Sequence, residues 1–88
     1  MSYKVEILKG ALKQIKKLSP ELQERIQVRI DKLATEPRPN GVKKLKGREN
    51  AYRIRVGNYR IIYDIFDDIL LVNVVEIDHR SQIYKNES

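Results

Sequence analysis

YRIRVGNYRIIYDI, residues 52–65, decides the fold of this chain. Charged or polar residues alternate with apolar ones before Gly57-Asn58 and again after it, which is the pattern of two half-buried strands. A Gly-Asn pair between two such runs is typical of a two-residue hairpin turn. The stretch therefore predicts an antiparallel hairpin with strands over residues 52–56 and 59–66.

The short turn also predicts which residues of the hairpin pair. With Gly57-Asn58 at the turn, Arg55 lies opposite Arg60, and cross-strand partners point to the same side of a sheet. Arg53 then joins them on one face, although a slip of one residue would exchange the two faces. The other face carries the apolar residues expected to pack on helices, which are Ile54, Val56, Ile61 and Ile65.

The N-terminal segment predicts a strand followed by two helices. Residues 3–7 alternate as a short strand, which we expect Gly10 to end. Apolar residues then recur at helical spacing, at Leu12, Ile15 and Leu18. Ser19 and Pro20 are typical of a second helix start. Its apolar stripe ends near Thr35 and consists of Leu22, Ile26, Ile30 and Leu33.

The remaining segments predict a loop and one more strand. Residues 36–50 contain two prolines and two glycines and are expected to form a loop, which Leu45 anchors to the core. Asp67-Asp68 predicts a tight turn, and residues 69–77 predict a central strand that is covered on both faces. From Asp78 onward we expect a loop or a short helix.

This element order predicts one α+β domain over residues 1–88. The order β-α-α-β-β-β favours a mostly antiparallel sheet packed on an N-terminal helical hairpin. The chain has 88 residues, no cysteine and no apolar segment of signal-peptide or membrane-spanning type. We therefore expect a cytoplasmic protein without disulfides and with no membrane partner.

The positive charge is concentrated in one segment. The formal net charge is +6, but residues 38–60 alone contain eight basic residues against one acid, Glu49. Clustered charge of one sign predicts a polyanionic partner, either nucleic acid or an acidic protein. Two arginines directly opposite each other, Arg55 and Arg60, also indicate an anion site. The alternative is a solvated charge network that Asp64 and Glu49 neutralise.

The C-terminal segment holds the only histidine, His79, with Tyr84 five residues later. If the anion is RNA, cleavage by attack of the 2′-hydroxyl needs a base, cations at the phosphate and an acid. The arginines can supply the cations, and only His79 has an ordinary pKa near neutrality. Tyr84 could act as an acid or as a base-stacking ring. Alternatively, both residues are structural. The carboxylates form no ligand pattern, so we predict no metal site.

Residues 52–65 resemble the signature hairpin of the RelE/ParE toxin superfamily. Asp78-His79-Arg80 with Tyr84, and the loop over residues 41–47, are similar to RelE-type members as well. The resemblance covers essentially the whole chain and implies a RelE-like microbial RNase fold. It also implies the toxin of a type II toxin–antitoxin system, which cleaves mRNA on the ribosome by 2′-hydroxyl attack. Such toxins need no metal or other cofactor, and they are inhibited by a cognate antitoxin that is acidic and partly disordered.

The resemblance carries site residues over by position. The implied catalytic residues are Arg53, Arg55, Arg60, His79, Arg80 and Tyr84. The basic residues expected to contact RNA are Lys43, Lys44, Lys46 and Arg48. Some members have lysines where this chain has Arg53 and Arg55, and an arginine is a poor general base because its pKa exceeds about 12. The base role therefore moves to His79 or Tyr84.

Two other functions fit the same residues. A ParE-like inhibitor of DNA gyrase shares the fold and the hairpin but needs no RNA-cleaving tail. A binding module without chemistry, such as a nucleic-acid-binding or repressor subunit, would show steeply salt-dependent binding without cleavage. The spacing of His79, Arg80 and Tyr84 favours the RNA-cleaving type.

Overall fold

Two helices pack on one face of a five-stranded sheet in the computed structural model, which describes residues 2–79. The elements are β1 (Lys4–Ile7), α1 (Lys9–Lys16), α2 (Pro20–Lys32), β2 (Lys43–Lys44), β3 (Ala51–Val56), β4 (Tyr59–Phe66) and β5 (Leu71–His79). The strand order is β1-β5-β4-β3-β2. Strand β1 runs parallel to β5, and the other pairs are antiparallel. The predicted α+β fold with a mostly antiparallel sheet is therefore confirmed.

The residues at the start of each helix explain where it begins. The Ser19 hydroxyl accepts a hydrogen bond from the backbone N–H of Leu22 at 3.3 Å, and Pro20 takes the first helical position, as predicted. Gly10 does not separate β1 from α1, since it lies in the first turn of α1. That prediction was wrong because Leu8 alone makes the connection in an extended conformation. Among residues 2–79, neither helix is long and apolar enough to cross a bilayer.

The hydrophobic core lies between the helices and one face of the sheet. Ile26, Ile30 and Leu33 of the α2 stripe are fully buried, and α1 contributes Ala11 and Ile15. The sheet contributes Ile54, Val56, Ile61, Tyr63, Ile65, Val72, Val74 and Ile77. We call this side of the sheet the helix-packed face.

The hairpin pairs in the predicted register. Val56 lies opposite Tyr59, Arg55 opposite Arg60, and Ile54 opposite Ile61. Gly57 has a φ of 59°, a left-handed conformation that glycine adopts without strain. The short turn therefore sets the two faces of β3 and β4 as the alternation indicated.

Strand β5 differs from its prediction in its bounds. The β4–β5 connection takes four residues, with Leu70 at a φ of 51° and Ile69 64% exposed, so β5 begins at Leu71. The strand continues through Asp78 to His79, where a loop or helix was expected, because β4 offers partners as far as Tyr59. Likewise, Lys43–Lys44 forms β2 within the expected loop by pairing with β3.

A bulge divides β5 into two halves. Ile62 pairs with Glu76 and Tyr63 pairs with Val74, so Val75 is the extra residue. Before the bulge, Val74 faces the core and, after it, Ile77 does. One inserted residue reverses the alternation, which lets both halves bury apolar side chains on the helix-packed face.

A polar cluster fastens the segment after α2 to the sheet. The Arg38 guanidinium binds both Asp67 carboxylate oxygens, at 3.1 and 2.8 Å, and lies 5.1 Å from the ring centre of Tyr52. Tyr3 donates to Asp67 at 2.7 Å, and Tyr63 donates to the carbonyl of Pro37 at 2.7 Å. These contacts fix the start of the chain that leads to β2 and the basic loop.

Candidate functional site

The face of the sheet opposite the helices carries a cationic pocket. Its volume is about 320 Å³, and it is lined by Gly41, Lys43, Arg53, Ile54, Arg55 and Arg60. Four of these six residues are basic, and none is acidic. The pocket forms because β2 places Lys43 directly beside Arg53, while the hairpin places Arg55 directly opposite Arg60. We call this side of the sheet the charged face.

The residues of the charged face form two rows across the strands. One row runs from Arg55 on β3 through Arg60 on β4 to Asp78 on β5. Arg60 and Asp78 are only 2% and 7% exposed, respectively. A buried guanidinium is costly unless its charge is compensated, so the burial of Arg60 indicates a position organised for its charge.

The second row also leads from cations to a carboxylate. It begins with Lys43 on β2 and Arg53 on β3, crosses Ile62 on β4 and ends at Glu76 on β5. The sequence patterns do not point to Glu76 or Asp78 as site residues, because they predict a strand covered on both faces over residues 69–77 and a loop or short helix from Asp78 onward. The antiparallel return of β5 was the available signal, since it places the end of β5 beside the start of β4.

The two carboxyl groups at the ends of these rows interact. Burial raises the pKa of Glu76, and the hydrogen bond and negative charge of Asp78 raise that pKa further. The positive charge of Arg48 acts in the opposite direction. Asp78 also accepts a hydrogen bond at Oδ1 from the backbone N–H of His79, at 2.9 Å. Glu76 is half-buried and Asp78 is buried, so Glu76 is the more accessible of the two.

One of the two predicted neutralising acids, Asp64, forms an ion pair with a cation of the basic loop. Asp64 accepts two hydrogen bonds from Nη2 of Arg48, both at 2.9 Å, and the pair forms a salt bridge on the charged face. Glu49 uses its backbone carbonyl to accept a hydrogen bond from Nζ of Lys44. Arg48 is thus a loop cation fastened to β4.

The basic loop residues divide into groups. Lys43 lines the cationic pocket, whereas the ammonium of Lys44 lies 5.0 Å from the ring centre of Tyr52. Lys46 and Arg48 border an open depression along the loop, with a volume of about 460 Å³. Of the four residues predicted to contact RNA, the structure brings Lys43 together with the arginines and turns Lys44 to the opposite side of the sheet.

His79 lies on the other side of β4 from the cationic pocket. It pairs with Tyr59, and the two rings meet edge to face with centres 5.3 Å apart. Because neighbouring residues of a strand point to opposite faces, His79 and Tyr59 lie on the side opposite Arg60 and Asp78. Arg80 and Tyr84 lie outside the described residues.

The arrangement suits a phosphodiester. Guanidinium groups bind phosphate oxygens through paired hydrogen bonds, and the pocket offers three of them and one ammonium. The nearby carboxylates of Glu76 and Asp78 can accept protons. Within residues 2–79, no three histidine, cysteine, aspartate or glutamate side chains are grouped to hold a metal ion.

The chain is similar to known proteins over nearly all of its length. Residues 5–84 match the family model for the ParE toxin of type II toxin–antitoxin systems. The chain belongs to the RelE/ParE superfamily of toxins. The protein RelE1 of Methanocaldococcus jannaschii is 35% identical over 89 residues, which cover 98% of this chain and 99% of that protein.

Solved structures of RelE/ParE superfamily members share the fold. The RelE–RelB complex from Pyrococcus horikoshii OT3 matches with a TM-score of 0.83 and 30% identity, over 93% of this chain and 99% of the matched chain. The toxin–antitoxin complex RelBE2 from Mycobacterium tuberculosis matches with a TM-score of 0.79 and 29% identity, over 91% and 100%. The similarity thus covers more than 90% of this chain in each case.

Proposed function

We propose that this toxin is a ribosome-dependent endoribonuclease that cleaves mRNA by attack of a 2′-hydroxyl on the adjacent phosphate. The observation that carries the proposal is the cationic pocket, where Lys43, Arg53, Arg55 and Arg60 converge on the charged face. A scissile phosphate held there would receive charge stabilisation as its extra negative charge develops. The buried Arg60 is the cation that we assign to that phosphate.

The remaining predicted residues take supporting roles in this proposal. Arg53, Arg55 and Lys43 hold the flanking phosphates, and Lys46 and Arg48 extend the basic surface along the loop. Arg80 and Tyr84 are proposed, from their positions in the superfamily, to complete the site. His79 contacts Tyr59 on the other side of β4, and this contact favours a structural role for His79 at the end of β5.

An antitoxin partner follows from the superfamily. RelE of P. horikoshii was solved with RelB, and the M. tuberculosis relative was solved as a toxin–antitoxin complex. We propose a cognate antitoxin for this chain, acidic and partly disordered, whose negative charge would compete with RNA for the cationic surface. Binding to the folded toxin would also stabilise so small a domain.

Brief induction in bacteria, followed by mapping of RNA 5′ ends, tests the nuclease. We expect new 5′ ends within translated codons, and we expect them to disappear when translation initiation is blocked. The Arg60→Ala variant should lose about 10²–10³-fold in cleavage, by analogy with the removal of one transition-state hydrogen-bond donor. Arg60→Met keeps the apolar stem and should show the same loss if Arg60→Ala unfolds.

Arg25→Ala is the matched control. Arg25 is an exposed arginine on α2, so the variant removes the same side chain from the helix side of the molecule. It should retain cleavage and growth arrest. A folded Arg60 variant with full toxicity would refute the role assigned to the pocket.

Inhibition of DNA gyrase is the second candidate, because the matching family model is that of the ParE toxin. It predicts growth arrest with double-strand breaks in DNA and intact messages. The same induction experiment separates the two functions. Intact messages together with normal growth would instead favour a binding module without chemistry.

A further inference from the structure

The cationic pocket adjoins a carboxylate that neither the sequence patterns nor the superfamily resemblance singled out. Glu76 ends the row that begins at Lys43 and Arg53, and it lies opposite Ile62. Ile62 is two residues from Arg60 on the same strand and the same face. Glu76 is therefore the diagonal cross-strand neighbour of Arg60, at a distance typically of about 7–8 Å between backbone positions. A long carboxylate side chain can span that gap toward a phosphate bound at Arg60.

The cleavage reaction needs a group of this kind. Arginines remain protonated in proteins and cannot remove the 2′ proton. His79 lies on the opposite side of β4 from the pocket, beside Tyr59. Of the described side chains on the charged face, Glu76 and Asp78 are the carboxyl groups in the two rows that contain the arginines. Asp78 is 7% exposed and already accepts the backbone N–H of His79, which leaves Glu76 as the accessible proton acceptor.

We propose that Glu76 is the general base of the cleavage reaction, which rests on the nuclease function proposed above. A carboxylate oxygen of Glu76 takes the proton of the 2′-hydroxyl as the 2′ oxygen forms its bond to phosphorus. The bond from phosphorus to the 5′ oxygen breaks, and that oxygen takes a proton from water. The hydroxide so formed recovers the proton from Glu76. The products are a 2′,3′-cyclic phosphate and a 5′-hydroxyl end.

The surroundings of Glu76 suit this role. A base works best when its pKa is close to the working pH, and burial together with Asp78 raises the pKa of Glu76 toward that range. Groups from the neighbouring elements also act on it. The charged groups of the loop and the other strands that share its face, among the described residues, are Lys4, Glu6, Lys43, Arg48, Arg53, Arg55, Arg60, Asp64 and Asp78. Of these groups, Arg48 lowers the pKa of Glu76, which favours the ionised form that a base requires.

The test is the pH dependence of single-turnover cleavage of a ribosome-bound message. For the wild-type toxin we expect the rate to fall on the acid side as Glu76 becomes protonated. Glu76→Gln should lower the rate by about 10²–10⁴-fold and remove that acid limb. Glu24→Gln is the matched control, because it makes the same change at an exposed carboxylate of α2, on the helix side of the sheet, and should keep both rate and pH profile.

A second substrate distinguishes a base from an acid or from a purely structural carboxylate. Sulfur in place of the leaving 5′ oxygen at the mapped cleavage site removes the need to protonate the leaving group. The Glu76→Gln variant should stay slow on this substrate, since the 2′ proton must still be removed. Rescue by sulfur would make Glu76 an acid and overturn the proposal, and so would an acid limb that persists in Glu76→Gln.

Misfolding of the variant and failure of the nuclease proposal can each be told apart from failure of the proposed base. If Glu76→Gln does not fold in a thermal melt, Glu76→Asp carries the test: the acid limb should remain while the rate falls at least tenfold, because the shorter side chain misplaces the carboxylate. A wild-type rate in Glu76→Asp would contradict the assignment. A wild-type toxin that leaves ribosome-bound mRNA intact would refute the nuclease function itself, whereas cleavage with an unchanged profile in Glu76→Gln refutes only the base.

Discussion

Two adjacent residues on opposite faces of β4 are almost equally buried but differ completely in their chemistry. Ile61 on the helix-packed face is 0% exposed, and its neighbour Arg60 on the charged face is 2% exposed. Burying an isoleucine stabilises a fold by about 1.5–3 kcal/mol. Burying a guanidinium costs several kcal/mol before compensation. The apolar face therefore stabilises the fold. That stabilisation offsets the free-energy cost of holding charged groups close together on the other face.

The comparison extends to the partners of each face. The helix-packed face closes against Ile26 and Ile30 of α2, where shape and apolarity are sufficient. The charged face holds Arg55 opposite Arg60, and like charges directly opposite each other disfavour a sheet. A phosphate bound between the two arginines would reduce their repulsion, which is a reason for such a pair in a phosphate-binding site.

The largest expected effect comes from truncating the helix-packed face. Ile61→Ala should lower the free energy of unfolding by about 2–5 kcal/mol, since the side chain is fully buried. Ile62→Ala, the adjacent and half-buried isoleucine on the charged face, should cost less than half as much. Urea denaturation of both variants measures the difference. Equal losses would show that the two faces contribute alike to stability.

Replacing Arg55 on the charged face is expected to change the free energy of unfolding by less, and in the opposite direction. Arg55→Thr removes the repulsion from Arg60 and puts a good strand former at an exposed strand position, so stability should stay equal or rise by up to about 1 kcal/mol. Message cleavage by the same variant should fall about 10²-fold, because the pocket loses a cation. The Arg25→Ala variant controls for loss of charge alone. A clear loss of stability in Arg55→Thr would mean that Arg55 serves the fold.

The smallest effect belongs to the polar cluster that fastens the basic loop. Hydrogen bonds from Arg38 and from Tyr3 lower the pKa of Asp67 to about 2. A carboxyl whose folded pKa lies below its unfolded value of about 3.9 stabilises the fold above that value. Its contribution is lost as the pH falls through about 2. Asp67→Asn should therefore lower the melting temperature slightly at pH 7, with a deficit that shrinks between pH 4 and pH 2.

Asp68→Asn is the control for this melt, since it makes the same atom exchange at the next residue of the turn. A deficit in Asp67→Asn that does not change with pH would assign its effect to the turn rather than to the ionised carboxylate.

The hairpin could be predicted residue by residue because its information is local. Gly57-Asn58 sets the turn, the turn sets the register, and the register places Arg53, Arg55 and Arg60 together. The Ser19 cap and the stripe of α2 were predictable for the same reason. The bounds of β5 were not, because Leu71–His79 is defined by partners on β1 and β4 that lie far away in sequence.

The site residues that the sequence did not predict, Glu76 and Asp78, also depend on pairing between strands that are distant in sequence. Glu76 and Asp78 join the arginines only when β5 pairs with β4, and the bulge at Val75 sets which side chains of β5 reach the charged face. The sequence contains a trace of that bulge, since polar Asn73 stands at an odd position and Glu76 and Asp78 at even ones. One extra residue is needed to bring all three to one face.

The sequence by itself determined the class of fold, the hairpin register and the concentration of positive charge, because each depends on neighbours along the chain. The tertiary structure alone decided that Arg60 is buried, that Glu76 closes a row of cations, and that His79 meets Tyr59 away from the pocket. Those outcomes depend on which strands pair and where a bulge falls. Both are settled by burial across the whole sheet rather than by any local pattern.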